Sequence, residues 1–403
     1  MNKLFFLLPL LITLNLGSCS PVKSKTLSQT PEKIKDVSVK PIPGAEQMPL
    51  YLPLLKHKRV ALVVNHTSVV YHTHLADTLL ASGINVTKIF APEHGFRGTE
   101  AAGATVKNAV DVKTGLSVVS LYGKNKKPLP AQLSDVDILV FDIQDVGARF
   151  YTYISTMYYV MEAAAENGKE VLILDRPNPN GNYVDGPVLD LKNKSFVGLL
   201  PIPIIHGCTV GELAKMINGE KWLSGGKTCK LTVIKAKGYT HNTPYSLPIS
   251  PSPNLPNDLS IKLYPSLCLF EGTEISVGRG TDFPFQVIGF PDPAYGNFTF
   301  TPVSIPGVAT YPPLENKLCY GIDFRNKKVS DKFTLKYLIN YYTIAKDKEQ
   351  FFNAFFVKLA GVKTLKEQII KGMTEEQIRK TWEPALSQYK AMRKKYLLYP
   401  DFK

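Results

Sequence analysis

Between Ala91 and Gly98 the chain reads APEHGFRG, which sets a carboxylate (Glu93), an imidazole (His94) and a guanidinium (Arg97) in a turn bounded by Pro92 and glycines. A glutamate so placed can act as a general acid whose pKa is set by burial and neighbours. The structural alternative is an ion pair between Glu93 and Arg97. A second cluster, DIQDVGARFYTY over 142–153, crowds Asp142, Asp145, Arg149, Tyr151 and Tyr153 together. Asp142 or Asp145 could supply a second catalytic carboxylate or grip hydroxyls, and Tyr151 could stack on a sugar face. Capping of the following helix is the plainer use for Asp145.

Other chemistries fit less well. His66, His72, His74 and His94 lie near one another, with Asp142 as a further ligand, but no HExxH or comparable spacing is present, so a catalytic metal is disfavoured. There is no GxSxG elbow, and Ser276 has no assigned base. The first strand runs into Asn65-His66-Thr67-Ser68 rather than a GxGxxG turn, and no GxxxxGK[ST] loop occurs. No nucleotide cofactor, nor any other, is expected. Gly278-Arg279-Gly280-Thr281 alone is a weak phosphate signal.

The elements that must position these residues read as an α/β protein. Strands are predicted at Arg59–Asn65, Val86–Phe90, Ser117–Tyr122, Ile138–Ile143 and Val171–Leu174, with helices at His74–Ser82 and Phe150–Glu166. Continuous β-branched runs alternating with helical periods predict a Rossmann-like, doubly wound, largely parallel sheet. In such sheets ligands bind beyond the carboxyl ends of the strands. Asn65, the PEHG turn, Tyr122-Gly123, Asp142 to Asp145 and Asp175-Arg176-Pro177-Asn178 all follow predicted strands, and Asn65 and Asn178 join the substrate-binding candidates. Pro251, Pro253 and Pro256 mark a break. The sheet domain is therefore placed at 46–249 and a smaller α+β domain at 250–403, ending in a helix over Thr374–Arg393.

The N-terminus predicts export. Lys3 precedes an apolar run from Leu4 to Leu16, closed by Leu16-Gly17-Ser18-Cys19, too short for a stable membrane span and consistent with a cleaved signal over 1–19. The ending resembles a bacterial lipobox, which implies lipidation of Cys19 and attachment to a membrane. Residues 20–45, rich in Ser, Pro and Lys, read as a tether. Ser20 and the absence of an acidic cluster behind it resemble signals for outer-membrane retention facing the periplasm. The formal charge is +14. In an exported chain this favours acidic envelope polymers over nucleic acid as partners, although scattered lysines serve solvation first. Cys208, Cys229, Cys268 and Cys319 form no C-x-x-C pair, and buried free thiols are the default.

PEHGFRG (92–98), TGLSVVSLYG (114–123), DILVFDIQDVGARFYTYI (137–154), DRPNP (175–179) and FEGTEISVGRGTDFPF (270–285) resemble the NamZ exo-β-N-acetylmuramidases, glycosidases of peptidoglycan. The resemblance runs from about residue 46 to the C-terminus. It implies a Rossmann-like domain, a C-terminal α+β domain and a cleft between them. The implied reaction releases N-acetylmuramic acid from the non-reducing end of wall fragments, with muramyl saccharides as partners. By motif, Glu93 is the first choice for the essential carboxylate. His94, Arg97, Asp142, Asp145, Arg149, Tyr151, Glu271 and Arg279 fall in matching motifs and are expected to line the pocket, whereas Glu274 is given no catalytic role. Muramic acid carries a lactyl carboxylate that an arginine can hold bidentately, and Arg97 or Arg279, each in a Gly-bounded loop, is expected to do so. A second carboxylate or the substrate's acetamido group could complete the mechanism. A lipid-anchored protein that binds wall sugars without turnover is the alternative.

Overall fold

The structure is a computed structural model that describes residues 40–93, 95–97 and 109–402. The signal, Cys19 and His94 lie outside the described residues. Helix α1 (Met48–Leu55) leads into β1 (Val60–Val64), a short hairpin (β2, Val69–Val70; β3, Thr73–His74) and α2 (Leu75–Ala81). There follow β4 (Val86–Ala91), β5 (Ala109–Val110), β6 (Ser117–Ser120), β7 (Ile138–Asp142), α3 (Tyr153–Glu166), β8 (Glu170–Leu174), α4 (Val210–Gly219) and β9 (Lys230–Ile234).

Seven strands form one sheet in the order β5-β6-β4-β1-β7-β8-β9, all parallel except β5, which runs antiparallel on the edge. Every residue of β1 and β7 is buried, as a parallel strand covered on both faces requires. Alternate residues serve different cores. Leu62 and Val64 pack with Tyr51, Leu55, Leu75 and Leu79 of α1 and α2, while Ala61 and Val63 join α3, α4 and much of the C-terminal half. From β1 the chain steps outward to β4 and β6, then returns to β7 on the other side of β1. The crevice opens where the direction reverses, beyond the carboxyl ends of β1 and β7.

The second half comprises α5 (Asp258–Leu267), an antiparallel sheet in the order β10-β12-β11 (β10, Val287–Phe290; β11, Phe298–Phe300; β12, Cys319–Asp323), α6 (Lys336–Ile344), α7 (Phe356–Ala360), α8 (Thr364–Ile370) and α9 (Glu375–Arg393). The entry to α9 is fixed by a capping box between Thr374 and Gln377. Residues 40–403 form a single compact unit. Part of the reason lies in the C-terminal segment, which packs back on the first half. Tyr389 Oη donates to His206 O at 2.7 Å, and Tyr399 Oη donates to Asp175 Oδ2 at 2.6 Å.

Residues 41–45 correct the expected tether. Ile42 bridges Lys237, Gly44 N donates to Asp175 O at 2.8 Å, and Ala45 is fully buried. A Cβ on Gly44 would lie 2.4 Å from Ile234 O, so this approach needs glycine. Among the described residues no helix is long and apolar enough to cross a membrane. The four described cysteines are free and buried.

Candidate active site

A cavity of about 680 Å³ lies at the strand ends and takes its walls from both halves. Glu93, just past β4, Tyr122, just past β6, and the run Phe150–Tyr153 leading into α3 form one side. Tyr264, Cys268, Glu271, Arg279, Phe285 and the segment 308–312 come from the other half.

Glu93 is half-buried. Thr152 Oγ1 donates to its Oε2 at 3.1 Å, and the Tyr122 phenol is hydrogen-bonded to it as well. Burial, and then the Glu93 charge, push the Tyr122 phenol well above its ordinary value, so Tyr122 stays protonated and donates. Behind it Tyr151 Oη donates to Pro251 O at 2.7 Å. Its ring meets Tyr153 edge-on at 4.9 Å and Tyr264 at 5.9 Å. This block holds the loop after β7 against the second half.

Across the cavity Arg279 Nε donates to Glu271 Oε1 at 2.6 Å, and the guanidinium lies 5.0 Å from the centre of the Phe285 ring. Cys268 Sγ donates to Glu271 Oε2 at 3.4 Å. Both oxygens of Glu271 are thus engaged, while the two terminal nitrogens of Arg279 make no hydrogen bond among the described residues. Burial opposes the charge on Arg279, but the Glu271 carboxylate outweighs it and holds the guanidinium pKa above normal. Phe285 has φ of 56°, a strained value for an aromatic residue. Its N–H donates to Val277 O at 2.7 Å, and Gly278 and Gly280, with φ of 78° and 80°, turn the chain around Arg279.

Of the residues singled out in the sequence, Glu93, Tyr122, Tyr151, Tyr153, Glu271 and Arg279 line the cavity. Asp142, Arg149, Asp145, Asn178, Asn65 and Arg97 are not among its lining residues. Asp142 is fully buried and forked by Arg176, with Nε donating to Oδ1 at 2.6 Å and Nη2 to Oδ2 at 2.9 Å. Burial raises its carboxyl pKa, the guanidinium opposing. Arg149 is also fully buried, and its terminal nitrogens donate to the carbonyls of Pro187, Ile202, Leu359 and Ala360. With no carboxylate beside it, burial pushes its pKa down to about 9. It staples the loop after β7 to the end of α7.

Asp145 Oδ2 accepts from Gly147 N at 2.7 Å, so it shapes the turn, and Thr152 occupies the cap position of α3. Asn178 donates to Cys208 O at 2.8 Å and accepts from Asn180 N. A Cβ at Gly147 would fall 2.2 Å from Asn178 Oδ1, which is why a glycine with φ of 78° stands there. Asn65 folds back, accepting from Thr67 N and Oγ1 at 2.9 and 2.6 Å. Arg97 is exposed and grips Asp111 through Nε and Nη2 at 3.1 and 2.9 Å rather than pairing with Glu93, and it is not among the residues that line the cavity. Among the described residues no group of three or more His, Cys, Asp or Glu is arranged to hold a metal ion.

Sequence reasoning passed over Thr152 and Phe285, although both stand inside quoted motifs. It also passed over the segment 308–312, which carries no periodic signal.

Residues 60–259 match the family described as exo-beta-N-acetylmuramidase NamZ, N-terminal, and residues 262–399 match its C-terminal counterpart. The chain is 41% identical over 374 residues to the peptidoglycan beta-N-acetylmuramidase NamZ of Bacillus subtilis, covering 87% of this chain and 89% of that protein. Two crystal structures of DUF1343-family proteins from Bacteroides fragilis share the fold. One is 50% identical with a TM-score of 0.83, covering 90% of this chain and all of that one. The other is 32% identical with a TM-score of 0.75, covering 90% and 99%. With profiles matched across both halves and this identity over most of its length, the chain belongs to the NamZ exo-β-N-acetylmuramidase family.

Proposed function

We propose that the chain is an exo-acting β-N-acetylmuramidase that releases N-acetylmuramic acid from the non-reducing end of peptidoglycan fragments. The observation that carries this reading is the pairing of Glu93 and Arg279 in one cavity at the sheet's ligand-binding edge. Glu93 acts as the general acid and protonates the departing glycosidic oxygen as its bond to the anomeric carbon breaks, and water supplies the hydroxyl that ends on that carbon. Thr152 and Tyr122 donate to the carboxylate that is left behind, which stabilises the charge as it forms. Arg279, kept charged and aimed by Glu271, receives the lactyl carboxylate through its terminal nitrogens. The rings of Tyr151 and Tyr264 on the cavity wall suit the apolar face of a sugar ring. Asp142, sealed with Arg176, is outside this scheme.

The supporting evidence for attachment is sequence alone: the apolar run 4–16 and the LGSC ending. On that basis we infer a lipoprotein anchored through Cys19 in the cell envelope, facing the periplasm from the outer membrane.

The test is release of a chromogenic group from a β-N-acetylmuraminide, with the N-acetylglucosaminide as control. Wild type is expected to cleave only the muraminide, and Glu93→Gln to lose about 10²–10⁴-fold in kcat. A folded wild-type protein that turns over neither this substrate nor a natural disaccharide would instead be a sugar-binding protein.

A further inference from the structure

Tyr311 lines the cavity yet keeps 89% of its surface exposed, so it stands at the mouth rather than in the wall. The loop carrying it is cross-tied. Asn254 Nδ2 donates to Val308 O at 2.9 Å, Ser304 Oγ to Thr310 O at 2.7 Å, and Val303 N to Gly280 O at 2.9 Å. Leu314 adopts φ of 60° to complete it, a conformation that costs free energy in a branched residue. The fold gains little apolar burial from a ring held this far out. A second ring on the same cavity, Phe196, has Lys126 Nζ 4.8 Å from its centre. The cavity therefore carries, at Tyr311, an exposed aromatic face and, over Phe196, a cation beyond the residues that would surround one sugar.

An exo-acting glycosidase closes around the terminal sugar, and the rest of the strand must pass out through the opening. Resting on the muramidase reading above, we propose that the mouth is a reducing-end subsite in which Tyr311 stacks on the N-acetylglucosamine leaving group. A pyranose presents a face of C–H groups, which the negative face of an aromatic ring attracts. In a peptide-free strand the next residue along is again a muramyl sugar with a free carboxylate, and Lys126 supplies the complementary charge. The subsite makes longer fragments better substrates than the disaccharide without altering the bond cleaved.

The test uses the full-length protein carrying Glu93→Gln, titrated calorimetrically with a peptide-free tetrasaccharide and separately with N-acetylmuramic acid. Adding Tyr311→Ala is expected to weaken the tetrasaccharide about tenfold and the monosaccharide by less than about twofold. Tyr311→Phe is expected to retain the affinity, since the ring and not the hydroxyl makes the contact. Equal weakening of both ligands, weakening of neither, or no tetrasaccharide binding at all would overturn the proposal. Failure of the muramidase reading would show separately, as a wild-type protein that does not hydrolyse the muraminide.

Discussion

Two carboxylate–arginine pairs lie in or beside the motifs that carry the family resemblance, and they have opposite fates. Asp142 and Arg176 meet in a two-bond fork with side-chain exposures of 0% and 3%. Glu271 and Arg279 meet through one bond, and each keeps 20% of its side chain exposed on a cavity wall. In the first pair both carboxylate oxygens and three of the five guanidinium N–H groups are spent inside the protein, Arg176 Nη2 also reaching Val69 O at 3.1 Å. In the second, the carboxylate is consumed by its neighbours while the guanidinium keeps donors in reserve. A buried pair of this kind is retained because removing either member strands the other charge. A half-open pair can turn its unused donors on an anion. Chemical type does not separate brace from binding site; what separates them is the number of donors left over.

This contrast yields four expectations, from the largest effect to the smallest. Asp142→Asn leaves the Arg176 guanidinium uncompensated and is expected to cost about 3–5 kcal/mol of stability. Denaturant unfolding would show the midpoint fall, and an unchanged midpoint would mean that Asp142 is not a brace. His74 extends the point to pH, because it sits under the same floor, hydrogen-bonded to Asn65 O at 2.9 Å. Burial lowers its pKa to about 4. From pH 6.5 down to 4 the unfolded chain binds a proton that the native ring refuses, so acidification over that window removes about 3 kcal/mol. Asp175, which burial raises to about 6, acts in the reverse sense: the native carboxyl holds its proton more tightly, and stability falls as pH rises from 3.8 to 6. His74→Asn should leave the Asp175 component unopposed, making the slope of stability against pH more negative than in wild type between pH 4 and 6. An unchanged slope would remove His74 from the account.

At the cavity pair, Arg279→Lys loses the planar donor fork and is expected to raise KM for the muraminide about 10- to 100-fold. Its melting temperature should stay near wild type; unaltered KM would place the lactyl contact elsewhere. Arg97→Ala, which removes a partly exposed guanidinium from Asp111, Asp77 and the face of Phe96, is expected to cost about 1 kcal/mol and to leave KM unchanged. A rise in KM there would bring Arg97 back to the substrate.

The sheet was legible where strands are buried on both faces. The β-branched runs of β1, β7 and β8 announce themselves, but Lys230-Leu231-Thr232-Val233-Ile234 was missed, because an edge strand with Lys230 exposed breaks the apolar run. At the site, a strand-end pattern marks which loops gather, without revealing which side of each loop meets open space. Glu93 lies just past β4 and Asp142 closes β7; one reaches the cavity and the other turns inward to Arg176. Arg149 stands in the most specific motif and is spent on four carbonyls, since a loop bridging two halves needs donors of its own. The segment 308–312 left no trace at all, because a loop fixed by backbone hydrogen bonds places few demands on its side chains.

Asp175 gathers partners far apart in the chain. Gly44 reaches its carbonyl, Thr209 and Gly211 its carboxylate, and Tyr399 contributes the hydroxyl that also receives Ala236 N. Domains commonly fold from the N-terminus as they are made. Here the acid just past the end of β8 receives its last donor from a phenol more than two hundred residues downstream, made after all seven strands of the sheet. A chain cut before Tyr399 would form the sheet yet carry a buried acid short of one of its donors.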